Sequence, residues 1–276
     1  MKGFFYSILF VTALLFTSAC SSSVKSPQNH DEHSMENTNH EHHSPVNTKA
    51  KLTPFEKLAP NQPVNLAIDI QDSTGKPVTK FDIFQEKIMH LIVVSDDLRN
   101  FDHIHPEYKN NGRFQISVTF PEPGNYIMFS DYKPAGQKEV ISLTNISIPG
   151  AVTLPKNLEK FTKTKNLSDT KVNLNIFQKT IQAGKDITLT FNIQNNKNQP
   201  VTDLQPYLGE KGHLVIIKSS SPLTVGDYIH AHAIKNTAND KVEFHTNLPK
   251  SGTYKMWMQF NRNGKIKTAD FWINVE

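Results

Sequence analysis

The sequence predicts an all-β protein with two tandem immunoglobulin-like β-sandwich domains. Short runs of alternating apolar and polar residues recur along the chain, Gly, Pro, Asn and Asp separate them, and no long segment repeats at the helical period. Roughly six or seven short strands per hundred residues are typical of an immunoglobulin-like sandwich. The predicted strands cover residues 64–70, 78–84, 90–94, 114–120, 126–131 and 139–148 in the first half, and 171–177, 187–193, 213–217, 228–233, 242–246, 254–260 and 265–275 in the second.

The two halves also match each other, which predicts an internal duplication. An apolar strand that begins with histidine occurs in each half, and so does a Pro-x-x-Gly-x-Tyr pattern. In that pattern Pro and Gly set a turn, and the Tyr starts the next strand with one face buried. The matched segments are 90–94 with 213–217, 104–105 with 229–230, and 120–126 with 248–254.

The N-terminal segment has the pattern of a secretory signal peptide. Lys2 supplies a positive charge, an apolar run covers residues 4–16, and small residues precede Cys20. A membrane helix needs roughly 20 apolar residues, so cleavage is the better interpretation of this short run. Residues 17–20, Thr-Ser-Ala-Cys, resemble the lipobox of bacterial lipoproteins, which implies a lipid on Cys20 and a membrane anchor at the extracytoplasmic face. The alternative is an ordinary secreted protein in which Cys20 has no such role.

Composition sets the predicted domain boundaries. A polar segment rich in Ser, Asn, Glu and His follows Cys20, and it has too few apolar residues to offset the entropy of ordering. A second segment with Pro, Lys, Asn and Thr separates the two halves and resembles a linker. We predict a signal peptide over 1–19, a disordered His-rich tether over 20–51, a first sandwich over 52–150, a linker over 151–168 and a second sandwich over 169–276.

Several functional classes are disfavoured by composition. The net charge is +4 with both signs interspersed, and no basic stripe alternates with aromatics, so we expect no nucleic-acid binding. Cys20 is the only cysteine, which excludes an intramolecular disulfide. We expect no enzymatic activity, because the sequence contains no Ser-His-Asp order, nucleophile elbow or Gly-rich phosphate loop.

The histidines of the predicted domains occur in a repeated arrangement. Each half has one histidine at the start of an apolar strand and a His-x-His pair some 13 to 17 residues later. Side chains at i and i+2 share one face of a strand, so each pair can present two imidazoles to one point. Neutral imidazole suits Zn, Cu and Ni, and three imidazoles leave one coordination position open. The candidate metal ligands are His90, His103 and His105 in the first half and His213, His230 and His232 in the second, with His245 outside both sets.

Other interpretations of these residues stay open. A single strand histidine is more often a core or surface residue than a ligand, and histidines can also sense pH. Glu107 and Asp131 could be oxygen ligands or could orient an imidazole, although a solvated loop carboxylate is favoured for Glu107. Four methionines could add thioether ligands for Cu(I), although core packing is favoured for most of them. These are Met89, Met128, Met256 and Met258.

Five more histidines lie in the predicted tether, within residues 30–43. Short His-rich tracts bind transition metals through imidazole. Because a disordered segment loses chain entropy on binding, we expect weak and exchangeable metal capture there.

Several strings resemble an exported bacterial lipoprotein family with tandem immunoglobulin-like modules. They are residues 90–98 (HLIVVSDDL), 102–107 (DHIHPE), and 207–209 (YLG) leading into 212–216 (GHLVI). The resemblance covers most of residues 64–275 and extends more distantly to YtkA-like and copper-resistance-associated envelope proteins. It implies an envelope location and a link to heavy-metal handling, copper above all.

The sequence therefore predicts an envelope lipoprotein that captures or buffers a transition metal, with copper favoured and zinc as the other candidate. A lipid would anchor it to the membrane, and an envelope protein could be its partner. The alternative is a structural or adhesive module that binds a protein or an envelope polymer, with histidines that pack or sense pH.

Overall fold

Antiparallel strands form nearly all of the regular structure. The computed structural model describes residues 47–152, 159–235 and 237–276. Within these ranges the only helix is a single 3-10 turn, Val225–Asp227, and no helix is long and apolar enough to cross a bilayer. The predicted signal peptide, Cys20 and the tether histidines lie outside the described residues.

The first domain contains nine strands among the described residues. They are β1 (Thr48–Pro54), β2 (Pro63–Asp72), β3 (Phe81–Asp82), β4 (Met89–Ser95), β5 (Phe101–Ile104), β6 (Glu107–Tyr108), β7 (Arg113–Thr119), β8 (Gly124–Pro134) and β9 (Val140–Ile148). One sheet has the order β1-β2-β7-β6, and we call it the outer sheet. The inner sheet has the order β3-β8-β4-β5, and β9 also pairs with β8.

The second domain repeats this organisation. Its strands are β10 (Thr164–Asn166), β11 (Thr170–Ile176), β12 (Asp186–Asn195), β13 (Leu204–Gln205), β14 (His213–Lys218), β15 (Tyr228–His232), β16 (Lys241–Asn247), β17 (Gly252–Arg262) and β18 (Lys265–Val275). Its outer sheet has the order β10-β11-β12-β16, and its inner sheet has the order β13-β17-β14-β15 with β18 beside β17. The structure confirms the predicted fold class, two tandem immunoglobulin-like sandwiches.

A tyrosine in each domain confirms the predicted match of the Pro-x-x-Gly-x-Tyr segments. The Tyr126 hydroxyl donates to the carbonyl oxygen of Glu122 at 3.0 Å, and the Tyr254 hydroxyl donates to that of Lys250 at 2.7 Å. Both rings are buried at the start of a long inner strand. Such a tyrosine corner, which bonds its own backbone a few residues upstream, is a hallmark of immunoglobulin-like sandwiches.

Two strands lie where the sequence analysis predicted irregular chain. β1 begins at Thr48, inside the predicted tether, and pairs with β2 along its whole length. Thr48, Ala50 and Leu52 face inward and the lysines between them face solvent. This alternation of period two is short and rich in small residues. β10 lies in the predicted linker and extends the outer sheet of the second domain. In contrast, the strand predicted over 78–84 is reduced to Phe81–Asp82.

Successive side chains of the inner strands point alternately into the core of their own sandwich and into the interface between the two domains. On β4, Met89, Leu91 and Val93 point into the core of the first sandwich, whereas Ile92 and Val94 point to the other face. That other face packs against the equivalent face of the second domain. Both faces of the inner sheets are therefore buried, which explains why β4 and β14 read as continuous apolar runs.

The interface between the two domains is pseudo-symmetric. The ring of Phe101 on β5 stacks on Trp257 of β17 with centroids 4.6 Å apart, and Tyr228 of β15 stacks on Phe129 of β8 at 4.9 Å. Strand pairing shows that Phe129 and Trp257 occupy equivalent positions. Phe129 lies opposite Ile92, two residues after His90, and Trp257 lies opposite Val215, two residues after His213. The two inner sheets thus meet through the same surface, related by an approximate two-fold axis.

Candidate metal centre

The strand histidines lie at one end of this interface. His90 on β4 and His213 on β14 point toward the opposite domain, because they alternate with the residues that fill the two sandwich cores. Both are almost fully buried, with exposed fractions of 0% and 1%. The pleat that buries the apolar side chains of each inner strand therefore also brings its first histidine into the interface.

The three predicted ligands of the first domain converge. His90 Nδ1 and His103 Nε2 are 3.0 Å apart, and ligand nitrogens of His90, His103 and His105 all lie within 4.8 Å of one another. Their ring centroids are 4.9–5.3 Å apart. His105 Nε2 is buried and has no hydrogen-bond partner among the described residues. We call His90, His103 and His105 the trio.

The three histidines predicted as ligands in the second domain do not all converge. His213 Nδ1 lies 3.3 Å from His230 Nε2, the counterpart of the contact in the trio. His232 is exposed, and its ring centroid is 5.5 Å from that of His230. Among the described residues, no group of three ligand atoms within 4.8 Å includes His232. Two of the three predicted ligands in this domain therefore converge.

The two histidine sets are neighbours, although the sequence analysis treated them as separate sites. The ring centroid of His90 is 5.4 Å from that of His230 and 6.3 Å from that of His213. His103 is 5.9 Å from His230 on the same measure. Domain packing produced this juxtaposition, since equivalent sheet faces meet across the pseudo-two-fold axis. We call all six residues the histidine cluster.

The strand registers correct the predicted alignment of the two His-x-His pairs. His103 pairs with Ile92, and His230 pairs with Val215, each two positions after the first histidine of its strand. The alignment of the two Ile-His dipeptides is therefore wrong by two residues. The loop before β15 is longer and contains the 3-10 turn Val225–Asp227, which shifts the spacing. The equivalent pairs are His103 with His230, and His105 with His232.

Hydrogen bonds from outside the trio set the protonation of its rings. The Gln259 amide nitrogen donates to Thr268 Oγ1 at 3.2 Å, so Gln259 Oε1 faces His103 and accepts from its Nδ1–H at 2.7 Å. His90 Nε2–H donates to the carbonyl oxygen of Phe84 at 3.2 Å. The unprotonated nitrogens, His90 Nδ1 and His103 Nε2, therefore face each other. Partners that fix the tautomer and orientation of an imidazole in this way are typical of metal-ligating histidines.

The equivalent bond in the second domain comes from a carboxylate. His230 Nδ1–H donates to Asp131 Oδ2 at 3.1 Å, and the Tyr228 hydroxyl donates to the same oxygen at 3.2 Å. Asp131 and Gln259 occupy equivalent positions, opposite His90 and His213 on the neighbouring strands. Each therefore orients a histidine of the other domain. An orienting role for Asp131 was one of the alternatives that the sequence left open, whereas no sequence pattern indicated a role for Gln259.

Burial keeps the cluster neutral at physiological pH. It lowers the pKa of His90 to about 2, of His213 to about 3, and of His105 and His230 to about 4. Burial also lowers the pKa of His103 well below its ordinary value, and neighbouring histidines add to the effect. Neutral imidazoles carry the lone pairs that a metal ion requires.

A carboxyl group that sequence reasoning missed lies beside the cluster. Ligand atoms of Asp131, Glu139 and His230 all lie within 4.8 Å of one another. Burial raises the pKa of Asp131 to about 6. Burial, followed by the proximity of Asp131, raises the pKa of Glu139 to about 7. Glu139 is the first residue of the strand predicted over 139–148, and its sequence context does not distinguish it from a solvated side chain.

The remaining candidates lie away from the cluster. The four methionines are in the two sandwich cores, as the core interpretation predicted. Glu107 is exposed and forms an ion pair with Lys109, which agrees with the favoured solvated role. His245 is exposed on β16 of the outer sheet. Among the described residues, the cluster and the two carboxyls beside it therefore offer imidazole nitrogens and carboxylate oxygens, and the four methionine sulfurs lie elsewhere.

A match to a protein-family model covers both domains. Residues 44–147 and 165–276 match the model described as "Domain of unknown function (DUF8832)". The chain belongs to the DUF8832 family. Each of the two DUF8832 segments covers one sandwich except for a single terminal strand residue, Ile148 or Thr164, in agreement with the predicted internal repeat. The more distant resemblance to YtkA-like and copper-resistance-associated proteins stays a prediction.

Solved structures show only loose likeness to this DUF8832 chain. Salmonella alpha-2-macroglobulin reacted with methylamine is 14% identical, with a TM-score of 0.27, over 83% of this chain and 15% of that one. Invasin, a bacterial integrin-binding protein, is 10% identical, with a TM-score of 0.23, over 81% of this chain and 39% of that one. Domains 4 and 5 of the S-layer protein SbsC are 10% identical, with a TM-score of 0.22, over 83% of this chain and 99% of that one. Likenesses at this level carry no functional argument, and no curated protein matches the chain.

Proposed function

We propose that this protein binds a transition-metal ion through the trio of His90, His103 and His105, to capture or buffer the metal outside the cytoplasm. The observation that carries the proposal is the convergence of three neutral, largely buried imidazoles within 4.8 Å. Copper is the favoured ion and zinc the other candidate.

The geometry of the trio favours a bound cation over simple packing. Two unprotonated nitrogens face each other at 3.0 Å, and their lone pairs repel unless a positive charge lies beside them. Metal–imidazole bonds of about 2.0–2.1 Å can reach both nitrogens at this separation. His105 Nε2 is buried and has no hydrogen-bond partner in the part of the chain that the structure describes, and buried polar atoms in native proteins are nearly always satisfied. A metal ion would satisfy all three atoms.

The donor chemistry supports the choice of ion. Imidazole nitrogens suit Cu, Zn and Ni, and the Irving–Williams order gives Cu(II) the highest affinity among divalent ions at such a site. Thioethers would favour Cu(I), but the methionines lie in the sandwich cores. We therefore propose Cu(II) or Zn(II) as the cargo.

The cellular setting of the proposal comes from the sequence. A lipid on Cys20 would anchor the chain at the extracytoplasmic face of the membrane, and the tether histidines would collect exchangeable metal close to the folded site. An envelope protein would receive or deliver the ion. A binding role needs no catalytic group, and we propose none.

The test is metal binding by a fragment that lacks the tether histidines. The fragment 44–276 contains every described strand of both sandwiches and nearly all of the compact unit formed by residues 43–276. Competition with a chromophoric chelator measures its affinity for Cu(II) and Zn(II). We expect tight binding by the parent fragment and by a His245→Asn control, whose altered residue is exposed and outside the cluster.

A His105→Asn variant should lose affinity by more than the roughly 10- to 100-fold that accompanies loss of an outer hydrogen-bond partner. Equal affinities for His105→Asn and His245→Asn would reject the proposed site. In that event a structural or adhesive role for the paired sandwiches would be the better account of the cluster.

A further inference from the structure

A second group of donor atoms meets at His230, beside the trio. Asp131, Glu139 and His230 bring two carboxylates and one imidazole within 4.8 Å of one another. Asp131 is completely buried, and its Oδ1 has no hydrogen-bond donor among the described residues. The pseudo-symmetric position of Asp131 in the second domain is Gln259, so within the described ranges the second domain has no equivalent of this group.

The charge of this group is not balanced by the protein. The only ion-pair partner of Asp131 within the described ranges is His230, and Glu139 has no Lys or Arg partner there. Burying a carboxylate is costly unless it is paired or coordinates a metal ion. Two neighbouring carboxyl groups without a Lys or Arg ion pair among the described residues are a setting in which a divalent cation can supply positive charge.

We propose that Asp131, Glu139 and His230 form a second cation site, which takes a divalent ion through two carboxylates and His230 Nδ1. The proposal does not depend on the function assigned to the trio, because the two sites share no ligand. Carboxylate oxygens suit Mn(II) and imidazole suits Zn(II), so a mixed set of this kind differs in preference from the all-nitrogen trio.

Access to the second site comes from the Glu139 side. Glu139 is exposed, whereas Asp131 and the His230 side chain are buried behind it, with exposed fractions of 0% and 2%. An incoming ion would meet the Glu139 carboxylate first. As the ion binds His230 Nδ1, the ring proton would move from Nδ1 to Nε2, which lies 3.3 Å from His213 Nδ1 and can donate to it. Tyr228 would continue to donate its hydroxyl to Asp131 and so hold the carboxylate in place.

The experiment uses Mn(II) and the fragment 44–276, with free Mn(II) followed by its EPR signal during titration. The test variant is Glu139→Gln, which removes one carboxylate charge at an exposed position and preserves the side-chain shape. The matched control is Glu107→Gln, which makes the same change at an exposed carboxylate that forms an ion pair with Lys109. Circular dichroism confirms that each variant is folded.

We expect one Mn(II) per chain in the parent fragment and in Glu107→Gln. The Mn(II) affinity of Glu139→Gln should fall by more than the roughly 10- to 100-fold that accompanies loss of an outer hydrogen-bond partner. Equal affinities for the two Glu variants would overturn the proposal, as would no Mn(II) binding by the folded parent, in which case the two carboxyls only share a proton. Loss of Mn(II) from a His105→Asn variant would assign the ion to the trio and also overturn the second site. Cu(II) affinity at the trio, measured separately, tests the proposed function without reference to these outcomes.

Discussion

Gln259 provides a demanding test, because it touches the trio through one hydrogen bond and comes from the other domain. Its Oε1 accepts from His103 Nδ1–H at 2.7 Å, and the residue is buried with an exposed fraction of 6%. Replacement by Leu keeps the volume and removes the acceptor. His103 then keeps its proton on Nδ1 without a partner, at a cost of about 1–3 kcal/mol, or moves it to Nε2.

Movement of the proton to Nε2 removes a lone pair from the proposed site, since that nitrogen faces His90 Nδ1. Loss of such an orienting partner costs roughly 10- to 100-fold in metal affinity. At about 1.4 kcal/mol per factor of ten, the binding free energy falls by about 1.4–2.8 kcal/mol. Chelator competition with Cu(II) measures this directly in Gln259→Leu.

The control is Gln115→Leu, the same substitution on β7 of the outer sheet, which should leave affinity unchanged. Gln259→Glu restores an acceptor of the kind that Asp131 supplies in the other domain, and it should recover most of the lost affinity. If Gln259→Leu binds Cu(II) as tightly as Gln115→Leu, the assignment of the ring protons is refuted.

Three further outcomes follow from the fold. Trp257→Ala removes a ring that stacks on Phe101 in the domain interface, so urea unfolding should show a loss of about 3–5 kcal/mol, whereas Phe177→Ala at a fully exposed position should change stability by less than about 0.5 kcal/mol. Tyr126→Phe and Tyr254→Phe each remove the part-buried hydroxyl of a tyrosine corner, which donates to the carbonyl oxygen and accepts from the N–H of one upstream residue. The two losses should be similar, about 0.5–1.5 kcal/mol, and a large difference would contradict the duplication at this position. Acid should destabilise the metal-free fragment, because the pKa values of the buried histidines are lower in the folded chain than in the unfolded chain. The unfolded chain therefore binds more protons, and the free energy of unfolding falls as the pH drops below about 6.5. The fall is at most about 1.4 kcal/mol per pH unit for each histidine. The raised pKa values of two neighbouring carboxyls act in the opposite direction and offset part of this loss, and urea midpoints that do not fall between pH 7.5 and 5.5 would contradict the buried, neutral state of the cluster.

Local patterns in the sequence were sufficient for the fold class. Alternation along the strands and the Pro-x-x-Gly-x-Tyr turns predicted two sandwiches, and the tyrosine corners confirm that match. β1 was missed because a strand of seven residues with Thr, Ala and Lys has a weak apolar signal, and its place is set by pairing with β2. β10 was missed for a similar reason, since three polar residues show no period.

The trio could be predicted from the sequence because strand geometry relates the positions of its three members. A His-x-His pair shares a strand face, and the neighbouring strand carries the third ring. The joining of the two sets was not predictable, because it depends on which sheet of each sandwich faces the other. The roles of Glu139 and Gln259 could be assigned only from that packing. Glu139 lies beside His230, and Gln259 hydrogen-bonds His103, and each of these histidines belongs to the other domain.

The most direct test of the central claim is the EPR spectrum of Cu(II) bound to the fragment 44–276 at one equivalent. Coordination by the trio predicts hyperfine structure from imidazole nitrogens in the parent fragment and in His245→Asn, and fewer coupled nitrogens in His105→Asn. A spectrum with only oxygen ligands, or one that His105→Asn leaves unchanged, would contradict a metal centre made of His90, His103 and His105.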